Sequence, residues 1–281
     1  MKKILVPTDF SEHAEHALKV AAQIARKNNS EIYLLHMLEL PSHISDDGIG
    51  ESNAVGSSTG VPEVMFFMEK TRERFEEVLN APYLEGIPVV EAIQFDRAFE
   101  GIIKQSKKHN IDLIIMGSHG ASGFREMFIG SNTEKVVRTS NIPVLVIKKD
   151  EGEFSPQKFV FASDFSEEIR KPFSQVVDFA NTFDMELDLV YINTPNDFKS
   201  THAAMKTMQE FAAGFSINNV DLHIYNDVNV EKGILHFANH INADMIGMCT
   251  HGRQGLAHFF NGSISEDLVN HSMKPVVTFK I

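Results

Sequence analysis

The apolar positions of this chain follow two periods. Runs such as Lys3–Val6, Ile32–Leu38, Val89–Ile93, Asp112–Met116 and Ile142–Ile147 are dense in Ile, Leu and Val and read as buried strands. Between them apolar residues recur at helical spacing: Ala14, Ala17, Leu18, Ala21 and Ala25, then Val64, Phe67, Met68, Thr71, Phe75 and Val78 within Glu63–Leu79. Phe99, Ile102 and Ile103 mark a third helix and Val136 and Val137 a fourth, over Thr133–Ser140. Five apolar strands alternating with four helices predict an α/β domain: a parallel sheet with helices on both faces. Ser11 is placed to cap the first helix. The stretch Pro41–Pro62 is rich in Gly, Ser, Asp and Asn, has no apolar period, and reads as a loop.

The pattern then restarts. Lys158-Phe-Val-Phe-Ala-Ser-Asp164-Phe-Ser166 echoes Lys3-Ile-Leu-Val-Pro-Thr-Asp9-Phe-Ser11, an offset of 155 (164 − 9). Asp244–Gly252 echoes Asp112–Gly120, and Gly262-Ser263 echoes Gly130-Ser131, both at an offset of 132 (252 − 120). The two offsets differ by 23 (155 − 132), and the difference falls where Pro41–Pro62 sits, so that stretch is an insertion in the first copy. The expected organisation is a tandem duplication: a domain over 1–149, a linker at Asp150–Gln157, and a second domain over 158–281.

The chemistry concentrates at Leu113–Arg138. An apolar strand enters a loop with glycines at 117, 120, 123 and 130, and a helix starts near Ser131. Strand, glycine loop and helix start suit a phosphate: glycines allow close backbone approach and a helix N-terminus offers unpaired N–H groups. Asp9, at the end of the first strand, either contacts a ligand or caps the next helix with Glu12. Ser131 and Glu134 have capping-box spacing, as do Ser263 and Glu266; phosphate contact through the Ser131 N–H is compatible with that. In the second copy Cys249 replaces Gly117 and Ala162 replaces Pro7. A Cβ at that point weakens or abolishes the second site, most of all if the position needs positive φ.

Composition narrows the partners. The 281 residues carry a net charge of −12, which argues against a nucleic-acid backbone as partner. A single cysteine, Cys249, permits no intrachain disulfide, and its position after an apolar strand suggests an inert thiol. Pro7 and Asp9 interrupt the N-terminal apolar run too early for a signal peptide, and no apolar stretch is long enough to span a membrane, so a cytoplasmic protein is expected. His13/His16 and His236/His240 have helical spacing but lack a third ligand, so no metal held by protein side chains is expected. His119 and His251 recur beside the loop and shape its turn or contact phosphate; Met65, Met68, Met205 and Met208 fit helix core faces. No GxSxG, Walker or CxxC motif is present.

The Gly117-x-x-Gly120 spacing, nine residues, then Gly130-Ser131, together with Asp9 after the first strand, resembles the universal stress protein family across the whole chain, as two fused domains. The resemblance implies two Rossmann-like, five-stranded parallel sheets. It implies Pro7, Thr8 and Asp9 near an adenosine, and Met37 at the adenine through its backbone. It implies Met116, Gly117, Gly120, Gly130, Ser131, Asn132 and Thr133 around ribose and phosphates. The weaker second site would use Asp164, Ile192, Gly252, Gly262 and Ser263. The implied ligand is ATP or AMP, with Mg²⁺ held mainly by phosphates. The implied role is regulatory; a slow ATPase or phosphotransferase, or an interaction module without nucleotide, are the other readings. The last strands, Val144–Ile147 and Val276–Phe279, would pair as an internal pseudo-dimer, with further association to a homodimer open.

Overall fold

The computed structural model describes residues 1–38, 60–120, 129–250 and 262–281, with side chains in the helices that open at 60 and 262 described from 64 and 267. The first half runs β1 (Lys3–Thr8), α1 (Glu12–Asn28), β2 (Glu31–Leu38), α2 (Gly60–Leu79), β3 (Val89–Phe95), α3 (Ala98–Lys108), β4 (Leu113–Gly117), α4 (Ser131–Thr139) and β5 (Val144–Ile147). The second runs β6 (Lys158–Ala162), a 3-10 turn (Glu167–Ile169), α5 (Arg170–Phe183), β7 (Glu186–Asn193), α6 (Thr201–Ala212), β8 (Val220–Asn226), α7 (Val230–His240), β9 (Met245–Thr250), α8 (Gly262–His271) and β10 (Val276–Lys280).

The strands form one sheet in the order β3-β2-β1-β4-β5-β10-β9-β6-β7-β8. Within each half all pairs are parallel and the local order is third, second, first, fourth, fifth. The halves meet where β5 and β10 pair antiparallel, Val144 opposite Thr278 and Val146 opposite Val276. The crossing is two-fold related: Lys148 Nζ donates to the Asn270 carbonyl at 2.6 Å and Lys280 Nζ to the Arg138 carbonyl at 3.2 Å. Each partner is 132 residues from its counterpart (280 − 148 and 270 − 138).

Helices cover both faces. Ala17, Leu18 and Phe75 of α1 and α2 share one buried cluster with Phe173 and Phe211 of α5 and α6. Ile102, Val136, Ile234 and Leu268 of the other four helices share the second. The repeat extends to the backbone. Phe10 and Phe165, Asn29 and Asp184, and Asn110 and Asn242 all have positive φ, between 51° and 61°, at matching places. Non-glycine residues seldom adopt that conformation. Asp112 Oδ2 accepts from the N–H groups of Lys2 and Lys3, as Asp244 Oδ2 does from Gln157 and Lys158. Core volume is conserved by exchange: Ile4 and Ile115 of the first half become Phe159 and Gly247, where a Cβ on Gly247 would sit 2.5 Å from the Phe159 ring.

Two expectations change. Helix α2 opens at Gly60 rather than Glu63, so the end of the Pro41–Pro62 insertion is helical; its residues up to 59 lie outside the described residues. On α2 Thr71 and Phe75 are buried, whereas Phe67 and Met65 face solvent, so among the described residues the buried face lies in the later turns. The segment between the halves packs on the first one: Gln23 of α1 donates to the Gly152 carbonyl and accepts from the Phe154 N–H, both at 2.7 Å.

Candidate functional site

Strands β1 and β4 are neighbours, so their carboxyl ends open side by side, the position at which parallel sheets hold ligands. An open cleft of about 270 Å³ lies there. From β1 and the loop after it come Pro7, Thr8 and Asp9; from β2, Met37; from β4 and its loop, Met116, Gly117 and Gly120; from the start of α4, Gly130, Ser131, Asn132 and Thr133. Every first-copy residue that the family resemblance places at the nucleotide thus lines one cavity, and Gly123 of the loop lies outside the described residues. His119 lines it too, and Ala14, Leu35, Ala98 and Ile102, which sequence reading missed, supply apolar wall. Ala98 and Ile102 sit one helical turn apart on α3, a signal present in the sequence but shared with any buried helix.

Each loop residue has a distinct task. A Cβ on Gly117 would lie 2.5 Å from the His13 carbonyl oxygen and 2.6 Å from its carbon, so glycine here lets α1 pack on the end of β4. Its φ is not in the positive range, so the requirement is packing and not left-handed backbone. A Cβ on Gly120 would lie 2.5 Å from Asp9 Oδ2: the loop backbone runs directly over that carboxylate. Met37 packs its side chain on Gly101 of α3, and Ile192 repeats this on Gly233 of α7.

The capping expectations need correction. Ser11, not Asp9, is the N-cap of α1 and accepts from the Ala14 N–H at 3.3 Å. Asp9 Oδ1 instead accepts from the Ser11 N–H at 3.1 Å, which orients the carboxylate at the strand end. The N-cap of α4 is Gly130, with no side-chain cap bond, so Ser131 is the first helical residue and forms no capping box. Among the described residues no side chain caps α4, and its first residues, Ser131 to Thr133, line the cleft. Thr133 Oγ1 donates to the Gly117 carbonyl at 2.9 Å and locks the helix start to β4. Ser118 Oγ and His119 Nδ1 lie 2.9 Å apart, which fixes the imidazole at the turn. None of the described residues lining the cleft is Lys or Arg.

The second copy is built differently at the same place. Phe165 N–H bonds Ser163 Oγ and Ser166 N–H bonds Asp164 Oδ1, as in the first copy. But the helix opens with the 3-10 turn Glu167–Ile169, Ser166 makes no cap bond, and its hydroxyl is buried without a partner. Cys249 brings the Cβ that Gly117 lacks, and the altered helix start is where a copy of His13 would otherwise meet it. The thiol is buried and its pKa is pushed well up by that burial, as an inert cysteine requires. Ile192 is buried, and Asn193 and Thr194 fold into a short turn closed by a Tyr191 hydroxyl bond to Asp197 Oδ2 at 3.0 Å. Gly252 lies outside the described residues, and Gly262 and Ser263 fall in the first turn of α8. No helix among the described residues is long and apolar enough to cross a membrane.

Known proteins place this geometry. The profile of the Universal stress protein family matches residues 1–148 and again 156–280. Universal stress protein MJ0577 of Methanocaldococcus jannaschii is 34% identical over 154 residues, 53% of this chain and 95% of its own length. Universal stress protein Slr1230 of Synechocystis is 24% identical over the full length of both chains. A crystal structure of a universal stress protein from Archaeoglobus fulgidus is 26% identical, covers 99% of this chain and 96% of its own, and superposes with a TM-score of 0.71. With both halves matched and the fold shared end to end, the chain belongs to the universal stress protein family.

Proposed function

We propose that the cleft of the first copy binds an adenine nucleotide, ATP or AMP, and that its occupancy regulates the protein. The observation that carries this is the convergence of Asp9, the Gly117–Gly120 turn and the uncapped start of α4 on one cleft. The charges divide the ligand. Asp9 repels phosphate and suits hydroxyl or amino donors, so the adenosine lies toward β1 and β2. Phosphates go to the N-terminal N–H groups of α4, where backbone supplies partial positive charge and none of the described lining residues is Lys or Arg. Met37 and the apolar wall of Leu35, Ala98 and Ile102 suit the base. Mg²⁺ would be held mainly by the phosphates. The second copy, with Cys249 and the closed turn after β7, acts as structural support. Its Asp164, Ile192, Gly252, Gly262 and Ser263 hold ligand weakly or not at all.

The test uses the full chain. Nucleotide is extracted from purified protein and identified, ATP and AMP are titrated, and ATP turnover is followed with and without Mg²⁺. One bound adenine nucleotide per chain, unchanged over hours, is expected. Steady hydrolysis would make the protein an ATPase instead. No binding at millimolar nucleotide would leave an interaction module.

A further inference from the structure

We propose that Asp188, Asp221 and His223 form a binding site for a divalent transition-metal ion, Zn²⁺ foremost, on the sheet of the second copy, away from the nucleotide cleft. The three come from neighbouring strands: Asp188 of β7 stands opposite Asp221 of the edge strand β8, and Val190 stands opposite His223. One ligand atom from each lies within 4.8 Å of the others. His223 Nε2 is already 2.7 Å from Asp188 Oδ1.

Asp188 is the observation that asks for a ligand. Its residue is only 4% exposed, yet its second oxygen, Oδ2, is buried with no hydrogen-bond partner. A buried carboxylate is costly unless charge-compensated and fully bonded. His223 can compensate one oxygen, but nothing described compensates the other, while Asp221 adds a second negative charge beside it. The fold does not impose this. In the first copy Ile32 pairs with Val89 as Leu187 pairs with Val220, so the matching positions hold Tyr33, Val90 and Ala92. None of these is a metal ligand, and the acid–acid–imidazole group is peculiar to the second copy.

A cation resolves the arrangement. Two carboxylates and one imidazole form a mixed O/N donor set, which suits Zn²⁺ or a neighbouring transition metal better than the all-oxygen preference of Ca²⁺ or Mg²⁺. With metal–ligand bonds of about 2.0–2.2 Å, tetrahedral ligand atoms stand about 3.3 Å apart. The His223–Asp188 pair therefore opens by roughly half an ångström and Asp221 swings in. Phe237 of α7, with its ring centroid 4.9 Å from that of His223, backs the imidazole. Asp221 is exposed, which gives the ion an entry path and leaves a coordination position for water. Helical histidine spacing in the sequence gave no hint of this, because the ligands converge across strands.

The full chain, stripped with a chelator, is titrated with ZnCl₂ in competition with a chromophoric zinc indicator, and bound metal is counted. One Zn²⁺ per chain at micromolar or tighter affinity is expected. His223→Gln, at a half-buried position, and Asp221→Asn, at an exposed one, should each weaken binding at least tenfold. They should also abolish any rise in melting temperature caused by Zn²⁺, with circular dichroism unchanged. A stripped chain that takes up no Zn²⁺ at about 100 μM, or variants that bind as the parent does, would overturn the site.

Discussion

Two glycines of one loop separate stability from binding. The Cβ of a Gly117→Ala chain would meet the His13 backbone, which cannot swing aside, whereas the Cβ of Gly120→Ala would meet only the end of the Asp9 side chain. Gly117→Ala should therefore cost about 1–3 kcal/mol of unfolding free energy, the usual penalty of overpacking. Gly120→Ala should cost less than about 0.5 kcal/mol, but by displacing the Asp9 carboxylate it should lower nucleotide affinity about tenfold. Urea denaturation and nucleotide titration on both variants check this; equal stability losses would refute the distinction. The loop was legible from glycine spacing alone. The reasons for its glycines were not, because His13 and Asp9 reach it from elsewhere in the chain. Asp188 was hidden likewise, since its neighbours Asp221 and His223 lie on another strand.

Among the elements, the helices α1 and α5 follow equivalent sequences but are capped differently at their N-termini. Ser11 accepts from the Ala14 N–H, while Ser166 leads into a 3-10 turn and bonds nothing with its hydroxyl. Ser11→Ala should lose about 1 kcal/mol. Ser166→Ala should be neutral or slightly stabilising, within about 0.5 kcal/mol, because it removes a buried hydroxyl with no partner. Thermal melts of the two variants side by side decide it; a matching loss at Ser166 would mean the cap is equivalent after all. Periodicity located the strands and helices of the first half because their apolar faces are continuous. It misjudged α2, where Met65 and Phe67 keep the helical period but are exposed. The start of α4 near Ser131 was read correctly, but the Ser131–Glu134 capping-box spacing misled, because Gly130, with no side chain to signal a cap, is the N-cap.

At the scale of the molecule, the duplication foretold two like halves and the alternation of strands and helices foretold their parallel sheets, but the strand order within each half is set by packing that no spacing encodes. The seam where β5 meets β10 is stitched by long-range contacts no spacing reveals. Lys148 and Lys280 each place an amine on a carbonyl of the other half, and burial lowers both, Lys148 to about 8 from 10.5. Between about pH 8 and 10.5 the unfolded chain holds a proton on Lys148 that the folded chain has released, so this residue makes stability rise with pH across that window. Below it both states are charged and the folded state carries the full desolvation penalty. Above it the neutral amine still donates to the Asn270 carbonyl. Lys148→Met removes the titration while keeping the length of the side chain. The parent should therefore gain stability over Lys148→Met as pH is raised from 7 to 10, and Lys280→Met should show a change of the same sign. Urea unfolding at both pH values measures the gap between parent and variant, which cancels every other group titrating in the range. A gap that stays constant would show that the seam holds Lys148 charged and solvated, and that the two halves are joined by the β5–β10 ladder without it.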